Sequence, residues 1–447
     1  MAEFTLKPGT TRLGHVYDDD ATTPRVVGML QRGADGGISL SLTWENDGGE
    51  LARWFLGDST HFADDPAKTR HRYSVPDVLV FRDGDGAASL LYCAVKSARM
   101  SLGDVGEGTA SARYAVLGVG EFDYRTITAL RSEIRGALSW FGQSSIQQST
   151  TTDGAGLIDS LSLHLASPAP VRLGRALNVQ LRPHFATRGL DAGRTEVHES
   201  ALIETAVTRP RDLFDHLRVH RDARDLIGLS GWTFLPFESQ WVRRDSDPVR
   251  TLDGTARAPR WSPLVSSEVP PAPTARTPRF LFDFSTVGTS GFARWLRLRS
   301  RFERGINPIM ATLDPRNGGL EGCLALSTIG LDGLGYQLAL DEGLPPNKAN
   351  NESQAARLER VARTLTVDAG IEVVEWARRA ANANNGLKHA NREMPDVRSM
   401  RRTLIENQLI FRLWVASQVG VDRTSLERRL RIDPMAGRVA DGEGASQ

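Results

Sequence analysis

The stretch Asn382-Ala-Asn-Asn-Gly-Leu-Lys-His-Ala-Asn-Arg392, followed by Glu393-Met-Pro395, gathers residue types that can work on a phosphodiester. His389 is the only histidine in the C-terminal half. Lys388 and Arg392 flank it, and Asn384, Asn385 and Asn391 surround it. Amides and cations bind phosphate oxygens, and a histidine can pass a proton near neutral pH. A turn so dense in polar groups is a poor core. Arg378 and Arg379 precede it, and Arg398, Arg401 and Arg402 follow. Plainer readings stand beside this one. His389 could cap helix carbonyls ahead of Pro395. The asparagine run could be a fraying helix end. The arginine cluster could be a solvated helix face.

Other candidates carry less. His216 and His220 lie four apart on an expected helix, beside Asp212 and Asp215, a spacing that permits a metal pair. The glutamate that a metalloprotease helix places after its first histidine is missing, so both are expected to be surface polar residues. His61, Asp64, Asp65 and His71 read as a loop coincidence, and Asp18-Asp19-Asp20 as an acidic turn without EF-hand spacing. Gly118 and Gly120 fall in a strand turn. No Walker, dinucleotide-binding or Gly-x-Ser-x-Gly pattern occurs, which argues against the common nucleotide-driven, Rossmann and hydrolase mechanisms. No metal site and no cofactor are expected. Trp295, Trp376, Phe411 and Trp414, at helical spacing, are expected in the core.

The elements that must position these residues fall into two kinds, and an α+β fold is expected. Residues 1–244 read as a β-rich domain with packed helices. Val26 to Leu30, Ile38 to Trp44, Val78 to Phe81, Ser89 to Ala94, Ala112 to Val119, Leu157 to Leu165 and Ala176 to Leu181 are β-type runs punctuated by turns. Ile127, Leu130, Ile134, Leu138 and Phe141 recur at helical spacing and predict one amphipathic helix. A second helix is expected over Arg211 to Leu226. Residues 245–279, rich in Pro and Arg and without periodicity, read as a linker or long loop in which Trp261 pins a neighbour. Residues 280–434 read as an all-α bundle. Its helices are marked by Phe292 to Phe302, Leu320 to Leu338, Leu358 to Leu365, Ile371 to Trp376 and Leu404 to Val415, with prolines between them. Residues 435–447 read as a disordered tail.

The chain has 447 residues and a net charge of +1, so no global field draws it to nucleic acid or membrane. Its basic residues are almost all arginine, a chain-wide bias that codon usage explains better than recognition. Two cysteines, Cys93 and Cys323, make no disulfide framework and no metal spacing. The N-terminus lacks a basic region followed by an apolar run, so no secretory signal is expected. No stretch approaches the ~18–20 apolar residues of a membrane helix. A cytoplasmic protein with no membrane contact is expected.

The motif resembles the HEPN superfamily, and within it the ApeA-like anti-phage branch. HEPN nucleases carry an Arg, four to six residues, then a His, with a polar residue after the Arg. Here His389 matches the histidine and Asn385 the polar position, while Asn384 stands where Arg is expected. The stretch from Leu387 to Pro395, then Leu409 to Trp414 and Val419-Gly-Val421, resembles the same branch. So do Gly291 to Trp295 and the leucine-rich helix after Asn317. In the N-terminal half, Gly28 with its β-runs, Leu130 to Trp140 and Leu217 to Trp232 resemble the family's N-terminal domain. The resemblance implies a C-terminal HEPN bundle that pairs as a homodimer and cleaves RNA, tRNA included, without a metal. Abortive infection would be the outcome and a phage protein the trigger. It implies His389 as general base or acid, Lys388 and Arg392 as stabilisers of phosphorane charge, and Asn385 as an orienting group. Asn384 marks the missing cation, for which Lys388, Arg392, Arg378 or Arg379 would substitute. Arg378, Arg379, Arg398, Arg401 and Arg402 would line the RNA path. The alternative is a catalytically silent bundle used for dimerisation or for nucleotide or RNA binding, with recognition left to the N-terminal domain.

Overall fold

A computed structural model describes residues 4–18, 25–45, 50–55, 74–100, 105–119, 123–191, 194–251, 253–268, 278–316 and 318–440. His61, Asp64, Asp65 and His71, together with Asp19, Asp20, Gly120, Asn317 and the last seven residues, lie outside these.

The N-terminal region is a large antiparallel sheet with few helices. In chain order its elements are β1 Thr11–Tyr17, β2 Val26–Arg32, β3 Ile38–Glu45, α1 Glu50–Phe55, β4 Val78–Arg82, β5 Ala87–Leu91 and β6 Ala94–Met100. Then come β7 Val105–Ala112, β8 Tyr114–Leu117, β9 Thr126–Ile134, α2 Ala137–Phe141, β10 Ile146–Thr152, β11 Ile158–Leu165, β12 Val171–Arg172, β13 Gln180–Asp191 and β14 Arg194–Asp212. They end with α3 Leu213–Gly231, β15 Phe237–Arg243, β16 Val249–Arg250, β17 Ala256–Ala258 and β18 Ser262–Ser266. The chain divides into two compact units, and they interleave along the sequence. The first is Met1–Ser132, Thr205–Leu217 and Glu238–Pro270; the second is Glu133–Glu204, Arg218–Phe237 and Pro271–Gln447.

In the first unit the strands run β9-β15-β18-β8-β5-β4-β1-β2-β3-β7-β6. The alternation expected of a half-buried strand is plain in β3. Ile38, Leu40, Leu42 and Trp44 are buried, while Ser39, Ser41 and Thr43 face the other side. Trp44 stacks on Phe55 of α1 with centroids 4.9 Å apart. The Phe55 ring lies so close to the backbone of β7 that a Cβ on Gly108 would stand 2.5 Å from it. Gly108→Val is expected to cost the first unit about 1–3 kcal/mol by overpacking, read as a lower denaturant midpoint. An unchanged midpoint would mean the ring moves aside freely.

The second unit holds β12-β13-β14, the separate hairpin β10-β11 and the helical region. Its helices are α4 Phe284–Arg301, α5 Glu303–Ala311, α6 Leu320–Asp341, α7 Pro346–Asn351, α8 Gln354–Arg363, α9 Val373–Lys388, α10 Val397–Val419, α11 Arg423–Leu430 and α12 Pro434–Ala440. α6 packs against α5, α8, α9 and α10. Trp295, Trp376, Phe411 and Trp414 are fully buried, as their spacing predicts.

Several expectations need correction. Ile127 to Phe141 is not one helix. Residues 126–134 are β9, Gly136 follows at φ 79°, and only Ala137–Phe141 is helical. The β-branched Thr126, Ile127, Thr128 and Ile134 suit a strand, and the left-handed glycine separates the two elements. Among the described residues of 245–279, three short strands form. β18 sits between β15 and β8, too short to show a period. Trp261 does pin a neighbour: the Arg131 guanidinium stands 3.9 Å from its ring centroid. Residues 435–440, the start of the expected tail, belong to helix α12, and Met435 is buried. α6 also passes the length and composition test for a membrane span, contrary to the reading above. Half of its apolar window is buried among neighbouring helices, as in the core helix of a folded unit.

Candidate functional site

α9 carries the polar stretch, and its own inner face fixes where that stretch points. Ala377, Ala380, Ala381 and Ala383 are buried small residues that let α9 lie close to its neighbours. Trp376 Nε1 donates to Asn407 Oδ1 at 3.0 Å, and Asn407 Nδ2 donates to Ser327 Oγ and Thr328 Oγ1, each at 3.0 Å. This buried network ties α9 to α10 and α6. Glu406, 2% exposed, accepts Arg379 of α9 at 2.6 Å and Arg402 of α10 at 3.0 Å.

The helix ends where the chemistry begins. His389 is the residue after the last turn, extended at φ −121°, and its backbone N–H donates to Asn385 O at 3.0 Å. Arg392 N–H then donates to His389 O at 2.9 Å. The returning chain crosses α9 at Gly386, where a Cβ would lie 2.6 Å from Glu393 O. Asp396 caps α10 by accepting Ser399 N–H at 2.9 Å.

Asn385, Lys388, His389 and Arg392 are exposed on the end of α9 and the turn after it. Asn384 does not join them. It is 1% exposed, its Nδ2 donates to Gln354 Oε1 of α8 at 3.1 Å, and its Oδ1 is buried without a partner among the described residues. The position that the HEPN resemblance gives to Arg therefore faces the interior. Arg379 and Arg402 pair with Glu406, and Arg378, Arg398, Arg401 and Arg402 are exposed. Lys388 also acts on α6. Burial pushes the Asp332 carboxyl above its usual range, and the charges of Arg357, 3.1 Å away, and Lys388 oppose that shift.

Sequence reasoning placed Asn382 in the polar stretch without giving it a role, and missed Glu406. Asn382 lies four residues after Arg378 and three before Asn385, so the three share one exposed helix face. Spacing alone would have found it. Glu406 was marked only by its setting, a polar residue inside an apolar run. Beside this face a depression of about 760 Å³ opens between α9 and the start of α10. Arg378, Arg379 and Asn382 line one wall, and Asp396 and Ser399 the other. Arg378 and Asn382 can meet phosphate oxygens, Arg379 is already paired with Glu406, and Glu375, Glu393 and Asp396 add carboxylates that accept hydrogen bonds from hydroxyl or amino groups.

His216 and His220 are fully buried, not surface residues. The apolar face of α3 carries them inward. His216 Nδ1 lies 2.7 Å from Thr205 Oγ1, while its Nε2 is buried without a partner among the described residues. Among the described residues no group of three His, Cys, Asp or Glu could hold a metal ion. Burial pushes the His216 imidazole down from 6.5 to about 4. The unfolded chain therefore binds a proton below pH 6.5 that the folded chain binds only near pH 4. Stability is complete above pH 6.5 and falls by up to about 3 kcal/mol as pH drops toward 4. Denaturation at pH 7.5 and 4.5 should show this fall, and His216→Asn should remove most of it. The same fall in His216→Asn would assign it to other groups.

A family model described as ApeA N-terminal domain 1 matches residues 11–295. No curated protein and no solved structure matches the chain.

Proposed function

Because this chain belongs to the ApeA N-terminal domain 1 family of anti-phage defence proteins, we propose that it acts by abortive infection and cleaves RNA, tRNA included, at the end of α9. The observation that carries this reading is the exposed group of Asn385, Lys388, His389 and Arg392, set beside the Arg378–Asn382 face. The nucleophile is the substrate's own 2′-hydroxyl. It loses a proton, attacks the adjacent phosphorus, and expels the 5′ oxygen, which gains a proton. The products are a 2′,3′-cyclic phosphate and a 5′-hydroxyl. His389 takes or gives a proton. Lys388 and Arg392 stabilise the charge gathering on the phosphorane, in place of a cation at buried position 384. Asn385 orients the ribose or phosphate. Arg378, Arg398 and Arg401 attract the RNA backbone, while Arg379 and Arg402 shape the wall through Glu406.

In this reading the helical region is a HEPN bundle, and two copies pair so that their turns face one cleft. The sheet region senses the trigger, a phage protein, in the cytoplasm. A second reading is a silent bundle used for dimerisation or for nucleotide or RNA binding. It is favoured by one observation, the inward-facing Asn384.

Regulated expression in a bacterial host challenged with a phage panel, with total RNA run out for fragments, tests the proposal. Protection accompanied by new RNA fragments is expected. Lys388→Ala with Arg392→Ala should slow fragment formation by about 10²–10³. Protection without any RNA fragment would move the function away from the helical region.

A further inference from the structure

Among the described residues, β10 and β11 pair with each other and with no third strand. The hairpin belongs to the run 123–191, every residue of which is described. Both of its ends are fixed. At the base, Glu199 of β14 accepts Ile146 N–H at 3.1 Å and Ser144 Oγ at 2.9 Å. At the turn, Asp153 Oδ1 accepts the N–H groups of Ala155 and Leu157, each at 2.9 Å.

The register sorts the side chains between two faces. Ile146 stands opposite Leu165, Gln148 opposite Leu163 and Thr150 opposite Leu161, so one face carries a leucine stripe. Gln147, Ser149, Thr151, Ser160, Ser162 and His164 take the other face. The stripe is uncovered: Leu161 is 55% and Leu163 52% exposed. Leu157 and Ile158, toward the turn, are more exposed still. A two-stranded hairpin is marginal in water by itself, and an apolar face with open strand edges favours association.

Charge narrows what can cover the stripe. No Lys or Arg lies between Arg135 and Arg172, in a chain that has 55 of them in 447 residues. A surface without cations does not hold an RNA backbone. Two open strand edges do not enter a lipid bilayer, where their backbone groups would go unpaired. The carboxylates of the hairpin, Asp153 and Asp159, both lie toward its turn. A second copy of the same hairpin meets these conditions when a two-fold axis sets the two turns at opposite ends. Leucine then faces leucine, and the aspartates of one copy stand about 25 Å from those of the other, the length of an eight-residue strand. We propose that the β10–β11 hairpin is a self-association surface, through which two copies of this chain join by their leucine stripes. A stripe this short buries less than the ~1,200 Å² of a standard interface, so the association is weak, with Kd about 10–100 μM. The contact is separate from the pairing of helical bundles proposed above and does not depend on it. Where both form, two different two-fold contacts link pairs of chains into a tetramer or a longer array.

Sedimentation of the full-length protein over a concentration series tests the proposal. Wild type should show a concentration-dependent association in that range. Leu161→Lys with Leu163→Lys should weaken it by about tenfold or more, with the melting temperature held because both positions are exposed. Ser160→Lys with Ser162→Lys adds the same charge to the other face and should leave the association unchanged. Crosslinking locates the contact. In a Cys323→Ser background, where Cys93 is buried, Leu161→Cys should link to its copy through a bis-maleimide matched to the ~10 Å spacing of stacked sheets. Ala155→Cys, at the turn, should not. The proposal is overturned by association unchanged in the leucine variant, by an equal loss in the serine variant, by no link at Leu161→Cys, or by no association up to about 500 μM, which would leave the stripe to a different protein.

Discussion

His389→Ala should lower RNA cleavage about 10²–10⁴-fold, the usual contribution of one positioned acid or base. The residue is exposed beyond the end of α9, and its side chain supports no core, so the melting temperature should hold. Single-turnover rates on a defined RNA separate this loss from weakened binding, since the variant should bind RNA almost as before. In cells, protection and RNA fragments should vanish together. An unchanged cleavage rate in the variant would sink the assignment of His389, and with it the reading of the turn as a catalytic site.

Arg412→Met is expected to produce the largest loss of stability, about 3–5 kcal/mol. It leaves Asp433 as a buried carboxylate without its cation, and removes the donors to Leu229 O and Ser230 O. Asp433 also accepts N–H groups from Met435 and Ala436 at the start of α12, so the damage should spread to that helix. Arg412→Met combined with Asp433→Asn should recover part of the loss, because neither ion then remains alone. Equilibrium denaturation of the two single variants and the double variant measures the coupling. Strict additivity would show that the pair does not act as a unit.

Much of the fold was legible where one period dominated. The turn-bounded β-type run of Ile38 to Trp44 gave β3, and the apolar spacing of Leu320 to Leu338 gave α6. Ile127 to Phe141 misled because a strand and a short helix laid end to end can reproduce helical spacing by chance. The interleaving of the two units was not legible at all. Residues 133–204 and 218–237 group with the helical region through contacts distant in sequence, which local pattern cannot report. For the site, the polar density around His389 marked the right turn of chain. It could not tell inward from outward within that turn, so Asn384 was grouped with neighbours from which it points away. The buried histidines show the same limit. A polar residue on a helix reads as solvated until its face is known, and Thr205, which pairs with His216 Nδ1, lies eleven residues away on another element.

The central claim is that the turn after α9 directs a 2′-hydroxyl onto its neighbouring phosphate. The most direct measurement is the chemistry of the new RNA ends made by purified protein in excess chelator. Fragments bearing 2′,3′-cyclic phosphate and 5′-hydroxyl, absent with His389→Ala, are the expected result. Fragments with 3′-hydroxyl and 5′-phosphate, or cleavage abolished by the chelator, would contradict it.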